Sequence, residues 1–193
     1  MVAILTPDAV PAVRLTVDEY LAADLPEGLR YELVDGVVVM VPAPGGEHED
    51  VIQELSCVLS AYRRAHPLSM AMITTNASVV IPGAETAREP DLAVYIEWER
   101  GRRDFAVWRD FTPVLVVEVV SPDQERRDYV EKQRDYWKAG IREYWIADPI
   151  EETVTVLARG AKAWRKRTIK SGRSFESHYF AGLKVEVATL FRS

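Results

Sequence analysis

The stretch PVLVVEVVSPDQERRDYVEK, Pro113 to Lys132, is the most informative part of this 193-residue chain. Its first half is apolar at both even and odd positions, which is typical of a strand covered on both faces. From Asp123 a helical pattern continues to Ala139 and stops at Gly140. One acid, Glu118, lies inside the apolar run, where an unpaired charge is strongly unfavourable. Glu118 must therefore lie at the end of the strand, contact a cation or carry a proton.

Patterns on both sides of this stretch predict an α/β fold, a mixed sheet flanked by helices with added N-terminal and C-terminal hairpins. The core order is α-β-β-β-α-β, and we expect a single domain over residues 1–193 with a loose arm at residues 1–13. The predicted elements are a short helix capped by Thr16 and Glu19, a hairpin Tyr31 to Val41 turning at Asp35-Gly36, a helix Glu47 to Arg64, strands Met70 to Ile81, Asp91 to Ile96 and Val114 to Val120, a helix Asp123 to Ala139, a strand Glu143 to Asp148, and a hairpin of Val154 to Leu157 with Ala163 to Ile169.

The composition is typical of a soluble globular protein, since 48% of the residues are hydrophobic, 28% are charged and the net charge is −6. No apolar run approaches the roughly 20 residues that cross a bilayer, and no basic n-region precedes the apolar start. We therefore expect a cytoplasmic protein. The single cysteine, Cys57, excludes an internal disulfide and a cysteine-rich zinc site, and its apolar helical surroundings predict a buried, inert thiol.

Two segments leave alternatives open. Between Thr153 and Arg173 there are seven Lys or Arg and no acids, so the segment could contact phosphates or form a solvated face that protects an edge strand from aggregation. In the segment Arg103 to Phe111, Trp108 and Phe111 either pack on the sheet or belong to an interface.

A second acid, Asp91, opens its strand directly after Pro90. If the strands that carry Asp91 and Glu118 are antiparallel neighbours, the start of one lies beside the end of the other, and both acids share one edge of the sheet. Two adjacent carboxylates repel, which raises a pKa or requires a bound cation. Oxygen ligands of this kind suit Mg²⁺ or Mn²⁺.

Three further positions have both a functional and an ordinary interpretation. Asp128, Lys132 and Tyr136 occupy one helix face, from which Lys132 could reach the carboxylates, yet Asp128 and Lys132 also form the common i,i+4 surface pair worth about 0.3 to 0.5 kcal/mol. His48 leans toward the buried face of its helix, as a ligand or as a hydrogen-bonded core histidine. Glu32 is a candidate site residue or a cross-strand partner of a basic residue.

The ordered motifs of the chain resemble the Uma-two family of endonucleases, which belongs to the restriction-endonuclease-like PD-(D/E)XK nuclease superfamily. The resemblance covers the chain from about residue 16 to the C-terminal tail, and the ordered set is much more specific than any single motif. The motifs are YELVDG, PGGEH at the first long helix, EPDLAVY, VVEVVSP, D-x-x-x-K-x-x-x-Y and G-x-x-E-Y-W-x-x-D-P.

The resemblance implies a metal site. Asp91 matches the acid of the PD half-motif and Glu118 matches the acid of the (D/E)XK half-motif, both as metal ligands, with the carbonyl of Val119 as a further ligand. The superfamily lysine should stand two residues after the second acid, but that position is Val120. Lys132, from the following helix, corresponds to the substitute.

The same resemblance gives roles to three other residues. His48 and Glu32 match the polar residues on the first-helix side of such sites, and Asp128 resembles a partner that orients Lys132. The expected catalytic residues are Asp91, Glu118, Lys132, His48, Glu32 and Asp128.

The implied function is hydrolysis of DNA phosphodiester bonds by an endonuclease that uses Mg²⁺ or Mn²⁺ as its cofactor. The expected partners are double-stranded DNA and a second copy of the chain in a homodimer. Two alternatives remain open: a catalytically inactive nucleic-acid-binding or regulatory module on the same fold, and a metal-dependent hydrolase of some other phosphate ester.

Overall fold

The computed structural model describes residues 14–26, 28–41, 45–99, 107–121 and 127–191. The predicted loose arm at residues 1–13 lies outside this part. Its helices are α1 (Val17–Leu21), α2 (Gly46–Ala65), α3 (Val107–Asp110), α4 (Lys132–Ala139) and α5 (Val187–Leu190). Its strands are β1 (Arg30–Val34), β2 (Val37–Val41), β3 (Met72–Thr74), β4 (Val79–Val80), β5 (Ala87–Arg88), β6 (Leu92–Tyr95), β7 (Leu115–Val119), β8 (Glu143–Asp148), β9 (Thr153–Arg159), β10 (Trp164–Lys170), β11 (Ser174–Glu176) and β12 (Lys184–Glu186).

The main sheet has six strands in the order β10-β9-β8-β7-β6-β3. Strands β7 and β8 are parallel, and the other neighbours are antiparallel, so the predicted mixed sheet is confirmed. Every residue of β7 is buried. Val117 and its odd-numbered neighbours pack with α2, whereas Val116 and Val120 pack with Tyr136 of α4. The strand is therefore covered on both faces, as its sequence predicts.

A smaller sheet has four strands in the order β2-β1-β5-β4. Its β1–β2 hairpin turns at Asp35 and Gly36 with φ of 48° and 82°, which confirms the predicted turn. The prediction of one strand from Met70 to Ile81 is wrong, because the segment divides into β3 of the main sheet and β4 of the small sheet. Thr74 Oγ1 accepts a hydrogen bond of 3.0 Å from the Asn76 N–H, so a local polar turn ends β3.

The segment after β7 differs from a regular helix. Residues 122–126 lie outside the described part, Arg127–Glu131 forms a π-helical turn, and α4 continues from it to Ala139. Gly140 ends α4 with φ of 87°, which confirms the predicted stop. Strand β8 has the predicted bounds, and the hairpin of β9 and β10 is longer than predicted.

The structure decides two further predictions, the burial of Cys57 and the packing of Trp108 and Phe111. Cys57 is exposed, so the prediction of a buried thiol is wrong: the buried positions of α2 include Leu55 and Leu59, and Cys57 lies on the opposite face. Trp108 and Phe111 pack around Trp98, with ring centroids 5.5 and 5.3 Å away, on the apolar cluster of the main sheet.

None of the helices in the described ranges is long and apolar enough to cross a membrane.

Candidate active site

Asp91 and Glu118 meet where β6 begins and β7 ends. The two strands are antiparallel with Leu92 opposite Val117, so the pairing on which this juxtaposition was predicted is confirmed. Asp91 Oδ2 accepts a hydrogen bond of 2.7 Å from the N–H of Val119, the residue that follows Glu118. Both acids therefore lie at one edge of the main sheet.

Glu118 is buried, with only 2% of its surface exposed. Its Oε2 lies 2.7 Å from the Lys132 ammonium, and its Oε1 accepts a hydrogen bond from the Tyr136 hydroxyl. Burial raises the pKa of Glu118 to about 8, because the nearby Lys132 lowers it less than burial and the surrounding acids raise it. The acid thus lies at a strand end and contacts a cation, and burial raises its pKa.

Asp91 is held from three sides. Arg30 Nη1 lies 2.7 Å from Oδ1, while His48 Nε2 lies 3.2 Å from Oδ2, the oxygen that also accepts from Val119. Burial raises the pKa of Asp91, but the hydrogen bond from His48 and the charges of Lys132 and Arg30 outweigh it and hold the pKa well below its usual range. The pKa values of the two acids are therefore shifted in opposite directions.

Lys132 connects three of the predicted acids. Its Nζ lies 2.7 Å from Glu118, 3.2 Å from Asp128 and 3.5 Å from Glu32. Only 5% of the Lys132 side chain is exposed. The surface-pair interpretation of Asp128 and Lys132 is thus wrong, since both belong to a buried charge network.

A second cation, Arg88, closes the network on the far side of Glu32. Arg88 Nη1 lies 2.8 Å from Glu32 Oε2, and its Nη2 lies 2.8 Å from Asp135 Oδ2. Because Arg88 lies on β5, the neighbour of β1, the cross-strand basic partner considered for Glu32 is present. Sequence reasoning missed Arg88, Asp135 and Arg30, although Arg30 and Arg88 flank the YELVDG and EPDLAVY motifs directly.

Glu143 is a buried acid whose carboxylate is bound by neutral hydrogen-bond donors instead of a cation. Its carboxylate accepts hydrogen bonds from the Trp145 indole, the Ser177 hydroxyl and the backbone N–H groups of His178 and Tyr179, at 2.6 to 3.0 Å. These neutral donors tie the C-terminal tail to β8. The Glu118 carboxylate, by contrast, contacts a lysine and lies within the electrostatic influence of Asp91, Asp128 and Glu32, which is an arrangement typical of functional sites.

The donor chemistry of the cluster fits a hard divalent cation. Five carboxylates of the cluster contact three side chains of Lys or Arg, so the acids outnumber these permanent cations by two. The acids are Glu32, Asp91, Glu118, Asp128 and Asp135, and the cations are Arg30, Arg88 and Lys132. Within the described ranges no group of three or more His, Cys, Asp or Glu side chains is already arranged to bind a metal ion. Mg²⁺ does not require one, since it commonly binds through one or two carboxylates and keeps several waters.

The core follows the order helix α2, three strands, helix α4 and strand β8, and two acids lie at the junction of β6 and β7. This arrangement defines a restriction-endonuclease-like fold. The family profile of Uma2 (Uma-two), described as "Putative restriction endonuclease", matches residues 17–188. The chain therefore belongs to the Uma2 family, which confirms the resemblance drawn from its motifs.

One solved structure supports the fold independently. The chain is similar to a protein of Anabaena variabilis described as "a putative nuclease belonging to DUF820", with a TM-score of 0.70 and 18% sequence identity over 92% of this chain and 97% of that chain. A comparison with curated proteins gave no match.

Proposed function

We propose that this protein is a divalent-metal-dependent endonuclease that hydrolyses phosphodiester bonds in DNA. The observation that carries the proposal is the convergence of Asp91, Glu118 and Lys132, with 2.7 Å between the Lys132 ammonium and Glu118. Membership of a family described as restriction endonucleases supports the reaction class, and enzymes of this kind generally use divalent metal ions.

Asp91 and Glu118 would hold the ion, with the Val119 carbonyl as a further ligand. The ion would supply the Lewis acidity that activates water and neutralises the leaving oxygen. Lys132 would stabilise negative charge that develops on the phosphate, while Asp128 and Glu32 hold its ammonium in place. His48 would orient the Asp91 carboxylate through its hydrogen bond.

Strand β10 supplies a surface that suits a DNA backbone. It is the edge strand of the main sheet, and its basic side chains Arg165, Lys166 and Arg167 are exposed. Within the described part, none of the three forms an ion pair with a carboxylate. The Lys166 ammonium lies 5.3 Å from the centroid of the Tyr129 ring, one residue from Asp128, so this side chain adjoins the segment that leads into the helix carrying Lys132. Arg165 and Arg167 lie on the other face of β10, where they contact His178 and the Glu176 carbonyl oxygen.

Cleavage of supercoiled plasmid tests the proposal. With Mg²⁺ or Mn²⁺ we expect wild-type protein to nick plasmid and Asp91→Ala to leave it intact. Asp24→Ala, which changes an exposed acid after α1, is the matched control and should nick at the wild-type rate. Absence of nicking by wild type, together with salt-sensitive DNA binding, would favour the inactive binding module instead.

Two copies of the site could act on the two strands of a duplex together, and closed two-fold dimers are the commonest oligomers. A homodimer is therefore part of the proposal, and sedimentation of the wild-type protein measures it directly.

A further inference from the structure

Among the described cations of the site, Arg30 is more exposed to solvent than Lys132 and Arg88. Its side chain is 29% exposed, whereas the side chains of Asp91, Glu118 and Lys132 are at most 5% exposed. A substrate that approaches these buried groups from solvent therefore meets a guanidinium at the entrance.

The hydrogen bonds of Arg30 are made to one oxygen of Asp91 and to the backbone. Its Nη1 lies 2.7 Å from Asp91 Oδ1, and its Nη2 donates to the Glu89 carbonyl oxygen at 2.8 Å. The other oxygen of Asp91, Oδ2, is fixed by the Val119 N–H and by His48. Oδ1 is thus the oxygen whose partner is a partly exposed, flexible side chain.

A cation bound to Asp91 would change the electrostatic surroundings of Arg30. A divalent ion at Oδ1 would lie beside the guanidinium, and like charges at such short range in a partly buried site repel strongly. Arg30 then loses its best partner. A guanidinium with five N–H donors in a planar fork matches the oxygens of a phosphate group.

We propose that Arg30 is a movable phosphate-binding residue, which pairs with Asp91 in the metal-free protein and moves to a substrate phosphate when a divalent ion binds. The proposal rests on the proposed metal-dependent nuclease function. It makes Arg30 a competitor of the metal in the resting protein and a ligand of the substrate in the loaded protein.

A single substitution of Arg30 should change the affinity for metal and the affinity for DNA in opposite directions. Arg30→Met removes the competing cation, so Mn²⁺ should bind about tenfold more tightly, as expected for the removal of one close charge at a partly buried site. The same variant should bind a short DNA duplex about tenfold more weakly, since methionine cannot form the charge-assisted hydrogen bonds that the guanidinium gives to a phosphate. A residue that only supports the fold would weaken both or change neither.

The experiment measures both equilibria on the full chain. Titration calorimetry gives the Mn²⁺ affinity, and fluorescence anisotropy gives duplex binding in Ca²⁺, with the integrity of the duplex checked on a gel. Arg30→Lys keeps the charge and should retain the wild-type Mn²⁺ affinity. Arg109→Met is the matched control, because Arg109 is also partly exposed and pairs with an acid, Asp18, at 2.7 Å; both affinities should stay unchanged.

The outcomes separate the two proposals. Absence of Mn²⁺ binding by wild type overturns the metal-dependent function and this inference with it. Mn²⁺ binding by wild type that Arg30→Met leaves equal or weakens, in a variant whose circular dichroism is native, overturns the role of Arg30 alone.

Discussion

The ammonium of Lys132 lies 2.7 Å from Glu118 Oε2, although the two residues belong to different elements. The lysine expected two residues after Glu118 is replaced by Val120, whose side chain packs with Tyr136 under α4. The cation thus comes from the helix that covers this face of the sheet, and it reaches the acid from above the strand rather than along it.

Replacement of Lys132 by Met should abolish cleavage and destabilise the protein. The change leaves Glu118, Asp128 and Glu32 without the cation they share, and breaking a buried pair in this way typically costs about 3 to 5 kcal/mol. Urea denaturation measures the loss. Lys138→Met, at an exposed position of the same helix, should stay within about 0.5 kcal/mol of wild type and retain cleavage. Equal stability of both variants would contradict the buried network.

A Glu118→Gln variant should lose Mn²⁺ binding while its fold remains intact or slightly stabilised, because a neutral amide avoids the burial of the carboxylate charge, and its repulsion of Asp91, once the pH exceeds the raised pKa of Glu118. Calorimetry with Mn²⁺ measures the effect. Glu143→Gln provides the contrast: it should lower stability by disturbing the hydrogen bonds to the C-terminal tail, yet retain Mn²⁺ binding. Undiminished heat of binding in Glu118→Gln would disprove the ligand assignment.

The metal-free protein should lose stability as pH rises from about 4.5 to about 8, the usual and the raised pKa of Glu118. Between these values the folded protein holds a proton that the unfolded chain releases, so the free energy of unfolding falls with pH. The pKa of Glu89, raised to about 7 chiefly by burial, acts in the same direction. Melting temperatures in EDTA measure the slope.

The control for this pH dependence is Glu118→Gln, which should reduce the slope and leave the smaller part that Glu89 contributes. Mn²⁺ should stabilise wild type more at pH 8 than at pH 6, because Glu118 must release its proton to bind the ion. A melting temperature that rises with pH over this range in EDTA would rule out the protonated acid.

Moving the lysine back along the strand should not restore activity. In the double variant Val120→Lys, Lys132→Ala, the new ammonium starts from a position that is 2% exposed and packed among apolar groups, while Asp128 and Glu32 lose their cation. Plasmid nicking is the measurement, with Lys132→Ala alone as the reference. Cleavage above that reference would show the two positions to be equivalent.

The basic surface of β10 should contribute to DNA binding through charge alone. Changing Arg165, Lys166 and Arg167 to Gln should reduce the slope of log affinity against log salt by about one for each phosphate that these side chains neutralise. The slope is measured by anisotropy at several salt concentrations. A variant with the same change of charge elsewhere, at Arg63, Arg64 and Lys138, should keep the wild-type slope; an equal reduction in both would exclude a specific role for β10.

Much of the fold could be predicted because its signals are local. The two-sided apolar runs marked β7 and β8, and the Asp35-Gly36 dipeptide fixed the register of the first hairpin. Asp91 was expected beside Glu118 on the condition that their strands are antiparallel neighbours, and the structure has that pairing. Lys132 followed from helical spacing together with the family motifs.

The remainder of the site depends on interactions between distant segments. Arg88 joins β5 to β1 and α4, and Arg30 joins β1 to the start of β6, so no periodic pattern within one element reveals either cation. The division of Met70 to Ile81 between two sheets has a similar cause, because a short polar turn redirects the chain. The burial of Cys57 was predicted wrongly because its neighbours in sequence are apolar, although Cys57 itself lies on the exposed face of α2.

The contacts of Arg88 bear on the stage of folding at which the site is complete. Through Glu32 and Asp135 this buried guanidinium couples the docking of the small sheet to the position of α4, and hence of Lys132. Local opening that releases the small sheet would separate Glu32 from Lys132 and Arg30 from Asp91 in the same event. A partly folded chain in which the small sheet is not docked thus lacks a complete site.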